Sequence, residues 1–412
     1  MNNTSRIPRL IIAATIFTGS TAFVNATASS ACAALPTNSV AFQSLQQICD
    51  KSWRKMMTTW HEKTGIVYGC PTESVRSSRD CVNGMFHWTG GGYGDNMEDC
   101  ALICGTALSG LVDRYTVLGD AQSRDDAAKV ARGLLNLAKL HGIKGFVARG
   151  LCADDGKSIC SLSSRDQYTH WVHGLWRYSM SPMADPALLS EYKKLIVDVA
   201  EFMENRVVPE REWNFGLADG GKDPRGICTM WGPALSPHED ARLPMIYAAA
   251  YMATNDRHWL TLYESIADAA LDLTLRVDGP NRAKFLGRMP CYSLYQANAS
   301  LELLCAFEKD NNARRAKIAR AMRAFSDIAA NRACTAMRNP HAKPPYGMCW
   351  DGELALTMLM VSGVPDAEVA VPFLKKTLSR LDYAKSDIIQ ISHVMAAFWR
   401  AAIVLREKGV ML

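Results

Sequence analysis

The chain has 412 residues, of which 48% are hydrophobic and 21% charged, and its formal net charge is +5. This composition is ordinary for a globular protein with a large core. The basic residues form no cluster with interleaved aromatic residues, which argues against nucleic acid as a partner. The small positive charge is compatible with an anionic polysaccharide but does not require one.

The N-terminal segment has the order of a secretory signal peptide. Two arginines precede an apolar run from Leu10 to Phe17, and the small-residue sequence Ala26-Thr27-Ala28 follows. An apolar run of this length is too short to span a bilayer. We expect residues 1–28 to be the signal peptide, with Ala31 as a second cleavage position. The mature protein is then secreted or periplasmic and has no membrane span.

The chain contains 13 cysteines. In an oxidising compartment several of them should be paired, and an odd number leaves at least one unpaired. The local candidates, each bracketing a loop, are Cys70 with Cys81, Cys152 with Cys160, and Cys334 with Cys349. The paired Cys-x-x-Cys spacing of a zinc site is missing from the sequence. We therefore expect neither a metal nor another cofactor.

Helical periodicity recurs from residue 40 to the end of the chain and predicts twelve helices, with little alternating strand pattern between them. Helix starts have recognisable caps, such as Asp185-Pro186 and the capping-box-like pair Ser123 and Asp126. The predicted helices are, in order, about 40–58, after 95, from 123, from 165, from 185, 239–253, 258–275, 295–307, 313–331, 352–361, from 365, and 387–406.

The helices alternate in character. The odd-numbered ones are amphipathic, whereas the even-numbered ones are richer in apolar and small residues. The loops before the even-numbered helices are mostly long and rich in Gly, aromatic residues, Arg and carboxylates. This alternation predicts an all-α fold with an inner and an outer ring, an (α/α)6 toroid of six helical hairpins, in one domain over residues 33–412. A solenoid would show a repeat of fixed period, and the sequence has none.

With these features the chain resembles the six-hairpin glycosidase-like superfamily, which includes unsaturated glucuronyl hydrolases and many other glycoside hydrolases. The resemblance covers nearly the whole mature chain and rests on helix number, loop alternation and loop chemistry. In that superfamily the site lies in a funnel at the N-terminal ends of the inner helices. The resemblance therefore implies that the six long loops surround one cavity that takes an oligo- or polysaccharide.

The long loops carry the side chains that a sugar site needs. Aromatic rings stack on sugar faces, while amides, carboxylates and guanidinium groups hydrogen-bond the hydroxyls. The expected substrate-binding residues are Trp88, Tyr93, Arg149, Arg165, Gln167, Tyr168, Trp231, His238, Asp240, Arg288, Tyr295, Trp350 and Asp351. A carboxylate at a helix start also stabilises the helix dipole without any further function. The prediction of a sugar site therefore depends on the same types of side chain recurring in all six long loops.

Hydrolysis of a glycosidic bond needs one protonated carboxylic acid and one carboxylate. We expect Asp166, in the first turn of the fourth helix, to be the general acid. Neighbouring carboxylates would raise its pKa, and an adjacent arginine would oppose the shift. The expected partner is Asp99 or Asp95 beside the second helix, with Asp240 and Asp351 as further candidates.

Two other functions remain open from the sequence. A polysaccharide lyase on a related toroid would need a Tyr or His base and a group that neutralises a uronate carboxylate. The candidate bases are Tyr93, Tyr168, His173 and His238, and the candidate cations are Arg149, Arg165 and Arg288. A non-catalytic carbohydrate-binding protein would have the same aromatic residues without a usable acid pair. Nothing in the sequence indicates an oligomeric state.

Overall fold

The computed structural model describes residues 40–87, 96–232, 234–280, 285, 289–338, 351–361, 364–382 and 386–407. These ranges contain twelve α-helices and four two-residue strands. The helices are α1 Val40–Met57, α2 Cys100–Leu118, α3 Ala121–Lys139, α4 Arg165–Met180, α5 Pro186–Arg206, α6 Arg242–Thr254, α7 Arg257–Thr274, α8 Cys291–Phe307, α9 Asn312–Arg338, α10 Asp351–Leu359, α11 Val364–Arg380 and α12 Ile388–Glu407. The predicted all-α class is confirmed.

The four strands make two small sheets between α1 and α4. Strand β1, Trp60–His61, pairs antiparallel with β2, Ile66–Val67. Strand β3, Met85–Phe86, pairs in parallel with β4, Ile159–Cys160. The second pairing joins the segment before α2 to the segment before α4.

Side-chain caps explain where the helices begin. Asp185 accepts hydrogen bonds from two backbone N–H groups of the first turn of α5, and Pro186 occupies the first helical position, as predicted. The start of α3 differs from the prediction. Asp120, rather than Ser123, is its cap and accepts from the backbone N–H of Ser123 at 2.6 Å. Because the cap lies three residues earlier, the helix begins at Ala121.

The even-numbered helices pack in chain order into a closed ring. Helix α2 contacts α4, α4 contacts α6, α6 contacts α8, α8 contacts α10, α10 contacts α12, and α12 returns to α2. Helices α3, α5, α7, α9 and α11 pack against ring helices that neighbour them in sequence, whereas α1 packs against α12, the last ring helix. The even-numbered helices are called the ring helices below.

Glycines allow two of the ring helices to approach each other closely. A Cβ on Gly105 of α2 would lie 2.3 Å from the carbonyl oxygen of His170 in α4, and a Cβ on Gly174 would lie 2.8 Å from the Cα of Gly105. Real Cβ atoms do not tolerate such distances, since the neighbouring atoms are backbone. The contact between α2 and α4 is therefore made by backbone against backbone and depends on these glycines.

Two ring helices, α2 and α12, are long and apolar enough to cross a membrane by length and composition alone. Inside the protein, 72% and 89% of their apolar windows are buried. Packing in the ring therefore accounts for their apolar character, and neither is established as a membrane span.

The predicted local cysteine pairs are wrong. Cys70, Cys81, Cys152 and Cys334 are free thiols, and Cys349, the predicted partner of Cys334, lies outside the described residues. The parallel pairing of β3 with β4 explains part of the error, because it brings the Cys81 segment beside the Cys152 segment, and their Sγ atoms lie 4.0 Å apart. Cys291, which was left out of the predicted pairs, is disulfide-bonded.

Candidate functional site

A connected set of polar side chains lies at the N-terminal ends of four ring helices. Gln167 in the first turn of α4 donates to Asp99, the residue before α2, at 2.7 Å. Its neighbour Asp166 accepts a hydrogen bond from Arg242, the first residue of α6. Arg242 also donates to Gln296 of α8 at 2.7 Å. These contacts bring together the helix starts where the sequence placed the site.

Asp99 is held by a largely buried arginine. Arg149 donates from Nη1 to Asp99 Oδ1 at 3.0 Å and to the backbone carbonyl of Glu98 at 2.6 Å. Its Nη2 donates to the hydroxyl of Ser164, the N-cap of α4, at 3.2 Å. The side chain of Arg149 is 5% exposed, whereas that of Asp99 is 29% exposed. Arg149 is therefore buried, whereas part of the Asp99 carboxylate stays accessible to solvent.

Asp166 is also a partly exposed carboxylate paired with a buried arginine, in this case Arg242. The side chain of Arg242 is 1% exposed and that of Asp166 is 28% exposed. Burial alone would raise the pKa of Asp166, but the charges of Arg242 and Arg165 outweigh it and lower the pKa to about 2. The predicted raised pKa is therefore wrong. The physical reason is the ion pair with Arg242, and it leaves Asp166 ionised at neutral pH.

A third cluster lies around Arg165. This residue pairs with Glu239 and donates to the backbone carbonyl of Gly226 at 2.7 Å. His238 Nε2 lies 3.6 Å from Glu239 Oε1. Burial lowers the pKa of His238 to about 4, although Glu239 opposes the shift, so the imidazole is neutral at neutral pH. Glu239 keeps its charge at neutral pH, because Arg165 and Arg242 lower its pKa against the effect of burial.

A buried aromatic cluster lies deeper in the ring. The Tyr295 ring centroid is 5.4 Å from the ring centroids of both His170 and His393. His170 Nε2 is 3.2 Å from Gln296 Nε2, and His170 Nδ1 is 3.2 Å from the hydroxyl of Thr106. Tyr295 and both histidines are almost completely buried. The three rings therefore lie in the protein interior, and Gln296 connects His170 to Arg242.

Several predicted substrate-binding residues have structural partners. Tyr168 is fully buried, and its hydroxyl accepts from a backbone N–H. Asp240 is fully buried and pairs with Arg276 at 3.1 Å. Asp351 accepts a hydrogen bond from Thr377 of the outer helix α11 at 3.1 Å. Because Tyr168, Tyr295 and Asp240 do not reach the surface, direct contact between them and a sugar is not supported in this conformation.

The remaining predicted residues divide into two groups. Trp231 is partly buried and packs against the hydrophobic core. Five lie outside the described residues: Trp88, Tyr93, Asp95, Arg288 and Trp350. No group of His, Cys, Asp and Glu that is suited to hold a metal ion occurs in the part of the chain that the structure describes.

Arg242, Gln296 and Glu239 complete the contacts above but were missing from the predicted site set. Two of them could have been predicted from the sequence, because Arg242 and Gln296 lie near the N-terminal ends of predicted inner helices. Glu239 lies in the loop just before α6. The rule that located Asp99 and Asp166 would have located them as well.

Four arginines near the N-terminal ends of the ring helices are each paired with a protein carboxylate. The pairs are Arg149 with Asp99, Arg165 with Glu239, Arg242 with Asp166, and Arg276 with Asp240. A ligand carboxylate at any of these four arginines would be repelled by the protein carboxylate already paired with it. Partly exposed carboxylates such as Asp99 and Asp166, in contrast, can accept hydrogen bonds from the hydroxyls of a neutral ligand.

Comparison with known proteins bears on the fold. The apo structure of a beta-1,3-1,4-glucanase from Paenibacillus sp. X4 matches with a TM-score of 0.50 and 10% sequence identity, over 87% of this chain and 92% of the glucanase. No protein-family model and no curated protein sequence matches the chain. At this identity the likeness is one of fold alone, and the chain has the fold of that glucanase structure.

Proposed function

We propose that the protein is a secreted carbohydrate-active enzyme, a glycoside hydrolase of the six-hairpin toroid type. The observation that carries the proposal is the paired arrangement of Asp99 and Asp166. Both lie at the starts of adjacent ring helices, both are partly exposed, and each is bound by a largely buried arginine. Hydrolysis of a glycosidic bond uses two carboxyl groups on one site. The fold shared with a glucanase supports the same reading.

The two carboxylates take different roles in this proposal. Asp166, with a pKa of about 2, is ionised and acts as the base that activates water or as the nucleophile. The role of general acid, which the sequence suggested for Asp166, then passes to Asp95 or Asp99, and in Asp99 the proton has to be held beside the paired Arg149. Gln167 connects the two halves of the site, because it follows Asp166 in the chain and donates to Asp99.

The proposed substrate is a neutral oligo- or polysaccharide. Arg149 and Arg165, which were candidates to bind a uronate carboxylate, are both paired with protein carboxylates. A uronate at either arginine would be repelled by the protein carboxylate already paired with it, whereas a neutral sugar would not. The glucanase named above is described as acting on a beta-1,3-1,4-glucan, which agrees with a neutral substrate.

A polysaccharide lyase is the second candidate, and one observation bears on it. Tyr295, His170 and His393 lie together below the carboxylates, and Arg242 is linked to His170 through Gln296. A lyase base has to touch the substrate, and these rings are buried. The lyase reading would therefore require an opening of the site that the hydrolase reading does not need.

The test is turnover on a panel of neutral and uronate-containing oligosaccharides. Wild type is compared with Asp166→Asn and with Asp256→Asn, which makes the same change at the cap of the outer helix α7. We expect reducing ends without new ultraviolet absorbance, a loss of about a hundredfold or more in Asp166→Asn, and no loss in Asp256→Asn. Rising absorbance from unsaturated uronates would indicate a lyase. Binding without turnover on any member would indicate a non-catalytic sugar-binding protein.

A further inference from the structure

Two free thiols from distant parts of the chain lie in contact. Cys81 and Cys152 are 71 positions apart in the sequence, and their Sγ atoms are 4.0 Å apart. Cys81 is partly exposed and follows the 3-10 turn Ser78–Asp80. Cys152 is buried in the loop before β4. The sequence had suggested other partners, Cys70 for Cys81 and Cys160 for Cys152.

The backbone around both cysteines is held in place by bonds between the two segments. After Cys81, the parallel pairing of β3 with β4 includes a hydrogen bond from the N–H of Ile159 to the carbonyl of Gly84 at 3.0 Å. Before Cys81, the carboxylate of Asp154 accepts from the Ser77 hydroxyl at 2.8 Å and from the Ser78 backbone N–H at 3.0 Å. Contacts on both sides of the cysteines therefore keep the two thiols together.

We propose that Cys81 and Cys152 form a disulfide when the protein meets a disulfide-containing oxidant. Side-chain rotation has to shorten the sulfur separation from contact to a bond of about 2.0 Å, with the backbone already in place. The pairing lies outside the proposed sugar site and does not depend on the proposed function.

The reaction proceeds by two thiol–disulfide exchanges. Cys81, the more exposed thiol, loses its proton to solvent and attacks one sulfur of the oxidant, which releases one thiol and leaves a mixed disulfide on Cys81. Cys152 then loses its proton and attacks Cys81 Sγ, which releases the second thiol. The protein loses two hydrogens, and one oxidant disulfide becomes two thiols. Burial raises the pKa of both cysteines, so the exchange should become faster as the pH rises.

The bond would join two segments that lead to the candidate site. Cys81 precedes the loop that runs to Asp99 and α2, and Cys152 precedes the segment that runs to Asp166 in α4. The cross-link would therefore restrict the unfolded chain over a long loop and fix the approach to both helices.

The test is a peptide map of the full chain after incubation with oxidised glutathione. Remaining thiols are alkylated, and the chain is digested with trypsin and chymotrypsin. Cleavage after Lys157 separates Cys152 from Cys160, and cleavage at the aromatic residues after Met85 separates Cys81 from the next cysteine. We expect a linked peptide that contains Cys81 and Cys152. A link between Cys152 and Cys160, or recovery of both Cys81 and Cys152 alkylated, would overturn the proposal.

Two variants and a stability measurement complete the design. Cys160→Ser should keep the Cys81–Cys152 link, and Cys81→Ser should lose it. Oxidation should raise Tm by several degrees in wild type and in Cys160→Ser but not in Cys81→Ser. If Cys81→Ser does not fold, the peptide map of wild type still decides. An equal Tm shift in all three proteins would contradict the assignment of the stabilising link to this pair.

Discussion

Arg242 and Asp166 form an ion pair between neighbouring ring helices in which the cation is buried and the carboxylate is partly exposed. The arginine is fixed from a second side, since it also donates to Gln296. Asp166 is therefore held by a fixed cation, while part of its side chain stays exposed. This arrangement prepares a carboxylate to act as a base or nucleophile without reorganisation.

Replacing Arg242 by Gln should raise the pKa of Asp166. Burial pushes this pKa upward and Arg242 is the largest influence that lowers it, so its removal should move the value from about 2 to about 4 or above. NMR titration of carboxyl-labelled aspartate measures the shift directly. If the substrate panel identifies a substrate, the acid limb of kcat/KM should move upward with it.

The matched control is Arg320→Gln, because Arg320 pairs with Asp278 at the surface, far along the chain from the site. It should leave the Asp166 titration unchanged. An unchanged titration in Arg242→Gln itself would mean that the ion pair does not govern the charge of Asp166.

Asp240 should make the protein less stable as the pH rises toward neutrality. Burial raises its pKa to about 7, against the opposing charge of Arg276. The unfolded chain has the ordinary value of about 3.9. Between these two values the native state binds a proton that the unfolded state has released, so the free energy of unfolding falls as the pH rises.

Asp240→Asn removes this titration. Urea unfolding of wild type and variant at several pH values between 4 and 8 should show a decline in wild type, by about 1 kcal/mol or more, that is absent in the variant. Two curves that stay parallel across the window would show that Asp240 has an ordinary pKa.

The all-α class and the approximate positions of the twelve helices in the described residues could be predicted from the sequence, because both depend on local periodicity. Helix boundaries were less certain where two residues compete as a cap, as Asp120 and Ser123 do at α3. Asp99 and Asp166 were predicted near the starts of two helices, and the structure places them there, Asp99 just before α2 and Asp166 in the first turn of α4. These features need no knowledge of which distant residues meet.

The errors arose where a long-range partner decides the outcome. Arg242 is 76 positions from Asp166, and its charge reverses the expected direction of the pKa shift. Cys81 and Cys152 are 71 positions apart, so loop spacing could not bring them together. A pattern in the chain reveals the faces and ends of helices, but not which cation reaches which carboxylate.

Gly105→Ala should strongly destabilise the protein. The new methyl group would lie 2.3 Å from the backbone carbonyl oxygen of His170, and neither helix can move without disturbing the ring. We expect a loss of about 3 kcal/mol or a failure to fold. Gly221→Ala is the control, because its nearest neighbour is the side chain of Asp219 at 3.1 Å, which can rotate away. Urea unfolding compares the two, and equal losses would contradict the requirement for glycine between α2 and α4.

Asp113 should be the most costly carboxylate to remove from the ring. It accepts hydrogen bonds from Arg177 at 2.6 Å and from Arg400 at 2.9 Å, and all three side chains are largely buried.

Asp113→Ala leaves these two cations without their shared partner, although Arg400 keeps a contact with Glu302 at 2.7 Å. We expect a loss of about 3–5 kcal/mol, because an uncompensated buried charge costs more than an ion pair contributes. Asp268→Ala is the matched control. Asp268 is 62% exposed, and its partner Arg314 retains two other carboxylates, so the loss should stay below about 1 kcal/mol. Equal losses in the two variants, measured by urea unfolding at neutral pH, would mean that water reaches the arginines once Asp113 is gone.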